Sequence, residues 1–353
     1  MHAGYRCRHA GVCCAEDWTI AVEPPLLHRL ESALAAGELL PERRAGRHFE
    51  TAPAPAPDGQ AVVARSGGAC VFFEPGRGRL CAIHRTMGHA MLPSACRHFP
   101  RVVTLDPRGV FVSLSHVCPT AGRLLAHDCA APFSVVHAGA VLDPVTDWEG
   151  VDARDALPPQ VNGAALWDWD GLTAWERGVL GALAGRPPEH ALAAVASAAA
   201  RVSRWRPGRD RLARVVARAF DDGPDDPGRP IDVARLDALA RARAARPEAC
   251  PPQSPPGAGF DEGWRALAPQ IGRYLAARAV ASAVAYHAST VLVLARWLDT
   301  AYAVLRTEAA RHAGVAGRPV DTGLLAAAAA DADRLLVHRL DAAALAHALA
   351  GTR

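Results

Sequence analysis

The sequence predicts an α+β protein: a small cysteine-rich metal-binding domain with β-hairpins over residues 1–150, then an all-helical domain over residues 151–353. Three observations predict it. Seven of the nine cysteines fall within the first 118 residues. Between Cys70 and Pro119, short apolar runs alternate with turn signals, the pattern of hairpins. Beyond about residue 150, Ala, Leu, Val and Arg recur at helical spacing.

A chain of 353 residues exceeds the usual size of one hydrophobic core, so two domains are the default. The formal net charge of +3, from 39 basic and 36 acidic groups, is too balanced to argue for a nucleic-acid partner. Every basic residue outside His is Arg, and the absence of Lys excludes lysine-based Schiff-base or general-base chemistry within the chain. The opening MHAGYRCRHAGVCC has no apolar secretory run. A cytoplasmic location is therefore expected, with reduced thiols ligating metal; a disulfide framework is the alternative, and the odd cysteine count weighs against it.

The elements follow in order. Residues 1–16 are a cysteine loop freed by Gly4 and Gly11, and Trp18–Val22 alternates like a short strand. Pro24 and Pro25 open a helix to about Ala36, with Leu26, Leu27, Leu30 and Leu34 on one stripe and Gly37 as its stop. Ala52–Pro57 reads as a polyproline II spacer, and a strand follows at Ala61–Ala64. A first hairpin joins Val71–Phe73 to Leu80–Ile83 through Pro75-Gly76-Arg77-Gly78. His84–Leu92 reads as a helix stopped by Pro93. A second hairpin joins Arg101–Leu105 to Val110–Ser115 through Asp106-Pro107-Arg108-Gly109. Cys118-Pro119-Thr120 starts another helix.

Later helices are expected at 172–184, 189–205, 208–220, 231–245, 260–312 with breaks, and 321–349. The stretch 276–295 is nearly apolar, but Arg278 and His287 interrupt it, so a buried core helix is expected and no membrane span. The Arg-rich stretch 201–218 reads as a solvated helix face backed by Leu212, Val215, Val216 and Phe220.

Thiolates are soft anionic ligands for zinc or iron when several converge from separate loops. The candidate ligands are Cys7, Cys13, Cys14, Cys70, Cys81, Cys96 and Cys118. Adjacent Cys13 and Cys14 are poorly disposed to chelate one ion, so they are expected to serve two metals, or one to stand behind the ligand set. The hairpins gather Cys70, Cys81, Cys96 and Cys118 at one end of a small sheet, and a helix start at Cys118 favours its thiolate. No Cys-x2-Cys zinc knuckle is present, and the irregular spacing with a Cys-Pro step leans towards an iron–sulfur cluster over zinc. His84, His89, His98 and His116 are expected to orient thiolates or pack, Arg97 to neutralise thiolate charge, and Cys129 and Cys250 to be ordinary buried thiols. No catalytic triad or paired carboxylates are legible, and Gly257-Ala258-Gly259 has no preceding strand to make a cofactor loop.

These motifs resemble the CxxCxxCC-type zinc- or iron-chelating (YkgJ-like) family, and within it the flagellin lysine-N-methylase-like branch. Cys7, Gly11, Cys13 and Cys14 match the opening motif, with Ala10 where the second cysteine would stand. Cys70 precedes an apolar strand, Cys81-Ala82-Ile83-His84 matches the next motif, and Cys96-Arg97-His98-Phe99-Pro100 is a complete Cys-Arg-x-Phe-Pro signature. Trp18-Thr19-Ile20 and Cys118-Pro119-Thr120-Ala121 are similar to features of the methylase-like branch. Together the motifs cover about the first third of the chain. The resemblance implies methyl transfer from S-adenosylmethionine to lysines of a protein such as flagellin. A non-catalytic iron–sulfur or metal-handling protein, and a structural zinc module on a helical interaction domain, are the alternatives. S-adenosylmethionine binding separates the first from the others.

Overall fold

The computed structural model describes residues 5–42, 46–52, 59–76, 78–126, 150–221, 259–287 and 289–351. The expected spacer at 52–57, the helix at 231–245, Cys129 and Cys250 lie wholly or almost wholly outside them. The described residues form an α+β structure of short sheets and many helices.

A one-turn helix, α1 (Val12–Ala15), is followed by α2 (Pro24–Ala35), which buries Leu26, Leu30 and Ala33 and ends before Gly37 at φ 71°. Between them the expected strand reduces to a single bridge, Ala21 to Val62, because the chain turns into α2 at Pro24, whose nitrogen donates nothing to a ladder. β1 (Phe49–Thr51) pairs with β2 (Ala61–Val63), and β3 (Arg65–Ser66) with β4 (Ala69–Cys70) across Gly67-Gly68, both at positive φ.

The first cysteine hairpin is shorter than expected: β5 (Phe73–Glu74) pairs with β6 (Leu80–Cys81). Val71 and Phe72 are buried in the turn before β5, and Ala82 already begins α3 (Ala82–Met87). Gly88, at φ 85°, ends α3, so the expected helix at 84–92 becomes α3 and a 3₁₀ turn at His89–Met91. α4 (Ser94–His98) carries Cys96, and the Glu23 carboxylate accepts from the Ser94 N–H at 2.8 Å, tying α4 to the start of α2. The second hairpin forms as read, with β7 (Arg101–Asp106) against β8 (Gly109–Leu114) and α5 (Pro119–Leu125) after Cys118.

The region after residue 150 departs from the all-helical expectation. β9 (Gly150–Asp152) joins β7 in parallel, with Val103 opposite Gly150, and β10 (Gln160–Asn162) pairs with β11 (Ala165–Leu166). A side chain at Gly150 would collide with the Val103 carbonyl, so only glycine allows this close pairing. Then come α6 (Trp169–Gly185), α7 (Pro188–Val202) and α8 (Leu212–Asp221). The helices expected at 189–205 and 208–220 form as α7 and α8, and the Arg-rich stretch 201–218 spans the turn between them, which contains Pro207 and Gly208, the latter at φ 90°. α9 (Phe260–Ala266), α10 (Ala268–Ala279), α11 (Val291–Ala316), α12 (Thr322–Asp333), a π-helical turn (Arg334–Arg339) and α13 (Ala342–Ala350) complete the described chain. The expected single core helix at 276–295 is therefore two helices separated by a bend at Ala281 (φ 46°) and a 3₁₀ turn. Among the described residues no helix is long and apolar enough to cross a membrane.

The helical core, around Trp175, Trp264, Ile271 and Tyr274, also takes in Leu125 of α5. A separate small core under the cysteine hairpins contains Leu30, Leu39, Phe72 and Ile83. Polar clamps join the β7–β8 hairpin to the helices. Arg108, in the β7–β8 turn, pairs with Asp106 and with Glu176 of α6, each at 2.7 Å. The Tyr286 hydroxyl donates to the same Asp106 at 2.6 Å, and the Arg278 guanidinium donates to the Leu114 carbonyl at 2.6 Å.

Candidate metal centre

The N-terminal loop is laid over the hairpins by one glycine and one arginine. Gly11 sits at φ 74°, and a side chain there would stand 2.7 Å from the Phe73 ring, so the loop can press onto β5 only with glycine. The Arg65 guanidinium donates to the carbonyls of Ala15, Glu16 and Gly68, pinning the end of α1 to the β3–β4 turn. Cys13 and Cys14 are thereby held beside Cys70 at the end of β4 and Cys81 at the end of β6.

The Cys13 and Cys14 sulfurs are 4.0 Å apart. Hydrogen bonding from Cys14, against the opposing cost of burial, lowers the Cys13 thiol to about 7. Cys14 is pushed far up by its pairing with Cys13, by burial, and by the charges of Cys81 and Cys70. Burial pushes Cys81 up to about 12, and the charges of Cys70 and Cys13 add to that. Four thiols thus share one electrostatic environment, in which one thiolate raises the cost of the next. A bound cation would reverse that cost, which is the property of a metal site.

Cys7 and Cys118 meet around Tyr5. The Tyr5 hydroxyl lies 3.7 Å from the Cys118 sulfur, and burial with the charges of Cys118 and Cys7 pushes the phenol well above its ordinary value. Cys118 is buried with Leu114 and Ala121, while Cys7 is exposed and receives the His9 backbone N–H at 3.4 Å. Cys96 is exposed on α4.

The histidines divide. His84 is half-buried and its ring stands 5.8 Å from that of His9 and 5.7 Å from that of His89. Burial, then the charges of His89 and His9, lowers its pKa. His98 is buried on α4. His116 serves the junction with the helices: its backbone N–H and Nδ1 meet Asp333 Oδ2 at 2.7 and 2.9 Å. Arg97 donates to the Leu92 carbonyl at 2.9 Å, bracing the loop before α4.

Sequence reasoning missed the residues that hold this junction. Fully buried Asp333 also accepts from the Tyr274 hydroxyl at 3.1 Å and faces Arg278 at 3.7 Å. Burial alone would push its carboxyl up, but Arg278 and His116 outweigh that and hold it at about 2. The π-helical turn adds Arg334, paired with Glu16 at 2.6 Å, and His338, which meets the Ser115 hydroxyl at 2.7 Å and stacks on Trp18 at 4.9 Å. Arg278 inside an apolar stretch was the one available signal; partners over 200 positions away leave none.

Glu308, His312 and Asp331 also bring three possible ligand atoms within 4.8 Å of one another. Arg311 pairs with both carboxylates, and Arg334 with Asp331, so cations of the chain already neutralise this group.

No protein-family description matches the chain, and no curated protein or solved structure matches it.

Proposed function

We propose that this protein binds a metal centre through the thiolate quartet Cys13, Cys14, Cys70 and Cys81, and that the centre is an iron–sulfur cluster. The observation that carries the reading is the convergence of four thiols: Cys13 and Cys14, with sulfurs 4.0 Å apart, are docked by Gly11 and Arg65 onto the ends of the two hairpins that carry Cys70 and Cys81. An all-sulfur donor set suits iron–sulfur chemistry and zinc alike. Spacing favours the cluster. Four thiolates on one zinc stand about 3.8 Å apart, a distance that the Cys13–Cys14 pair, at 4.0 Å, approaches. Among the described residues no three cysteine sulfurs lie within 4.8 Å of one another, which suits ligands spread around a larger inorganic core.

The chain would supply the thiolates, the Arg65 clamp on α1 and the apolar floor of Phe72 and Ile83. The cluster would supply redox or Lewis-acid chemistry. The methyl-transfer activity implied by the resemblance rests on the sequence motifs alone, and equilibrium binding of S-adenosylmethionine tests it.

The ligand assignment is tested by counting metal per chain in Cys13→Ser, Cys70→Ser and Cys81→Ser, with Cys250→Ala as control. Each quartet variant is expected to lose the centre and the control to keep it. Full stoichiometry in Cys70→Ser and Cys81→Ser would overturn the assignment. Cys96→Ala and Cys118→Ala report whether the centre extends beyond the quartet.

A further inference from the structure

Beside the quartet lies a second set of ligating side chains, of different chemistry. Cys7 and His9 are two residues apart in a loop whose backbone is forced at His9 to φ 51°, an uncommon conformation for a residue with a side chain. That bend lets the His9 N–H donate to the Cys7 sulfur at 3.4 Å and brings His9 Nδ1 to 4.0 Å from the same sulfur. His84 of α3 meets the His9 ring of the loop, and His89, in the 3₁₀ turn after α3, meets His84, which is thus the middle ring at 5.8 and 5.7 Å from its neighbours.

We propose that Cys7, His9, His84 and His89 form a mixed sulfur–nitrogen site for a borderline divalent cation of the zinc class, distinct from the all-sulfur quartet. Two imidazoles on one tetrahedral ion, with metal–nitrogen bonds of about 2.0–2.1 Å, hold their ring centroids about 5 Å apart. A thiolate and an imidazole on that ion stand about 3.6 Å apart, sulfur to nitrogen. The His9–His84 and His84–His89 ring separations and the Cys7–His9 approach exceed these by less than 1 Å. No three of the four ligand atoms lie within 4.8 Å of one another, so the rings must turn inward to close on an ion. His9 and His89 are exposed, so small rotations of their rings close the gap at little cost. One sulfur ligand with three imidazole nitrogens is a donor set that suits zinc. Gly88, at φ 85°, turns the chain between His84 and His89, so that residues five apart present their rings to each other.

The inference does not depend on the quartet's metal, and the test separates the two. The full reduced chain, stripped of metal without oxygen, is titrated with Co(II) and followed by visible absorption. The wild type is expected to bind one equivalent with a spectrum of one thiolate among nitrogens. His84→Ala and His89→Ala should each weaken that class more than about 100-fold and leave quartet binding intact, whereas Cys70→Ser should do the reverse. Where stripping unfolds the chain, zinc and iron are counted in protein as isolated, and both histidine variants should carry one zinc fewer. Co(II) affinity or zinc content unchanged in His89→Ala, whose exposed ring threatens no fold, would overturn the proposal. Loss of both metal classes together in the two histidine variants would overturn it too, since it would make the histidines part of the quartet's own site.

Discussion

Replacing Asp333 should unlock the cysteine-bearing half from the helices. Its carboxylate is fully buried and answers three donors: the His116 N–H, the His116 ring and the Tyr274 hydroxyl. It also offsets Arg278, which is nearly as buried. Asp333→Ala strands that guanidinium, and removing one partner of a buried ion pair costs about 3–5 kcal/mol. Asp333→Asn keeps the shape and isolates the charge. Holding the carboxyl at about 2 instead of its ordinary 3.8 contributes about 2 kcal/mol of stability. A depressed carboxyl contributes fully above its unfolded pKa, so this share is present above pH 3.8 and is lost as pH falls through about 2. Urea denaturation followed by circular dichroism, repeated from pH 7 to pH 2, measures it. Wild type should exceed Asp333→Asn by about 2 kcal/mol at pH 7, with the difference shrinking between pH 4 and pH 2. A difference below about 1 kcal/mol at pH 7, or one that does not change with pH, would refute the reasoning.

Three further outcomes are expected. Gly11→Ala should cost about 1–2 kcal/mol through its backbone alone, and its methyl group should displace α1 from Phe73; metal affinity falling at least tenfold, measured by chelator competition, is the check. Arg108→Ala leaves the buried Asp106 and Glu176 carboxylates uncompensated, and thermal or urea unfolding should show a loss of about 3–5 kcal/mol. In metal-free protein, alkylation of Cys13 by iodoacetamide, resolved by peptide mass spectrometry, should rise with a midpoint near pH 7, because its thiol is lowered to about 7. Cys14→Ala should move that midpoint upward by removing the stabilising hydrogen bond.

Much of the local structure was legible in the sequence because its causes are local. Asp106-Pro107-Arg108-Gly109 set the turn of the second hairpin, and Pro24-Pro25 set the start of α2. Errors arose where a local preference met a packing demand. Val71 and Phe72 read as strand but are buried inside a bend, and β9 escaped notice because it pairs with β7 across almost 50 residues. The candidate site was legible as a set of cysteines, since residue type alone marks them. Their grouping was not: Cys14 joins Cys70 and Cys81 only because Gly11 and Arg65 fold α1 down upon them. The apolar stretch holding Arg278 looked like an interrupted core helix. The interruption exists to serve Leu114 and Asp333, partners that spacing cannot reveal.

The most direct test of the metal-centre reading is the iron, zinc and acid-labile sulfide content of wild-type protein purified without oxygen, with its visible spectrum. The account predicts brown protein containing iron and labile sulfide, with both lost in Cys70→Ser. Colourless protein holding only zinc on the quartet would contradict the cluster, and protein with no metal at all would contradict the site.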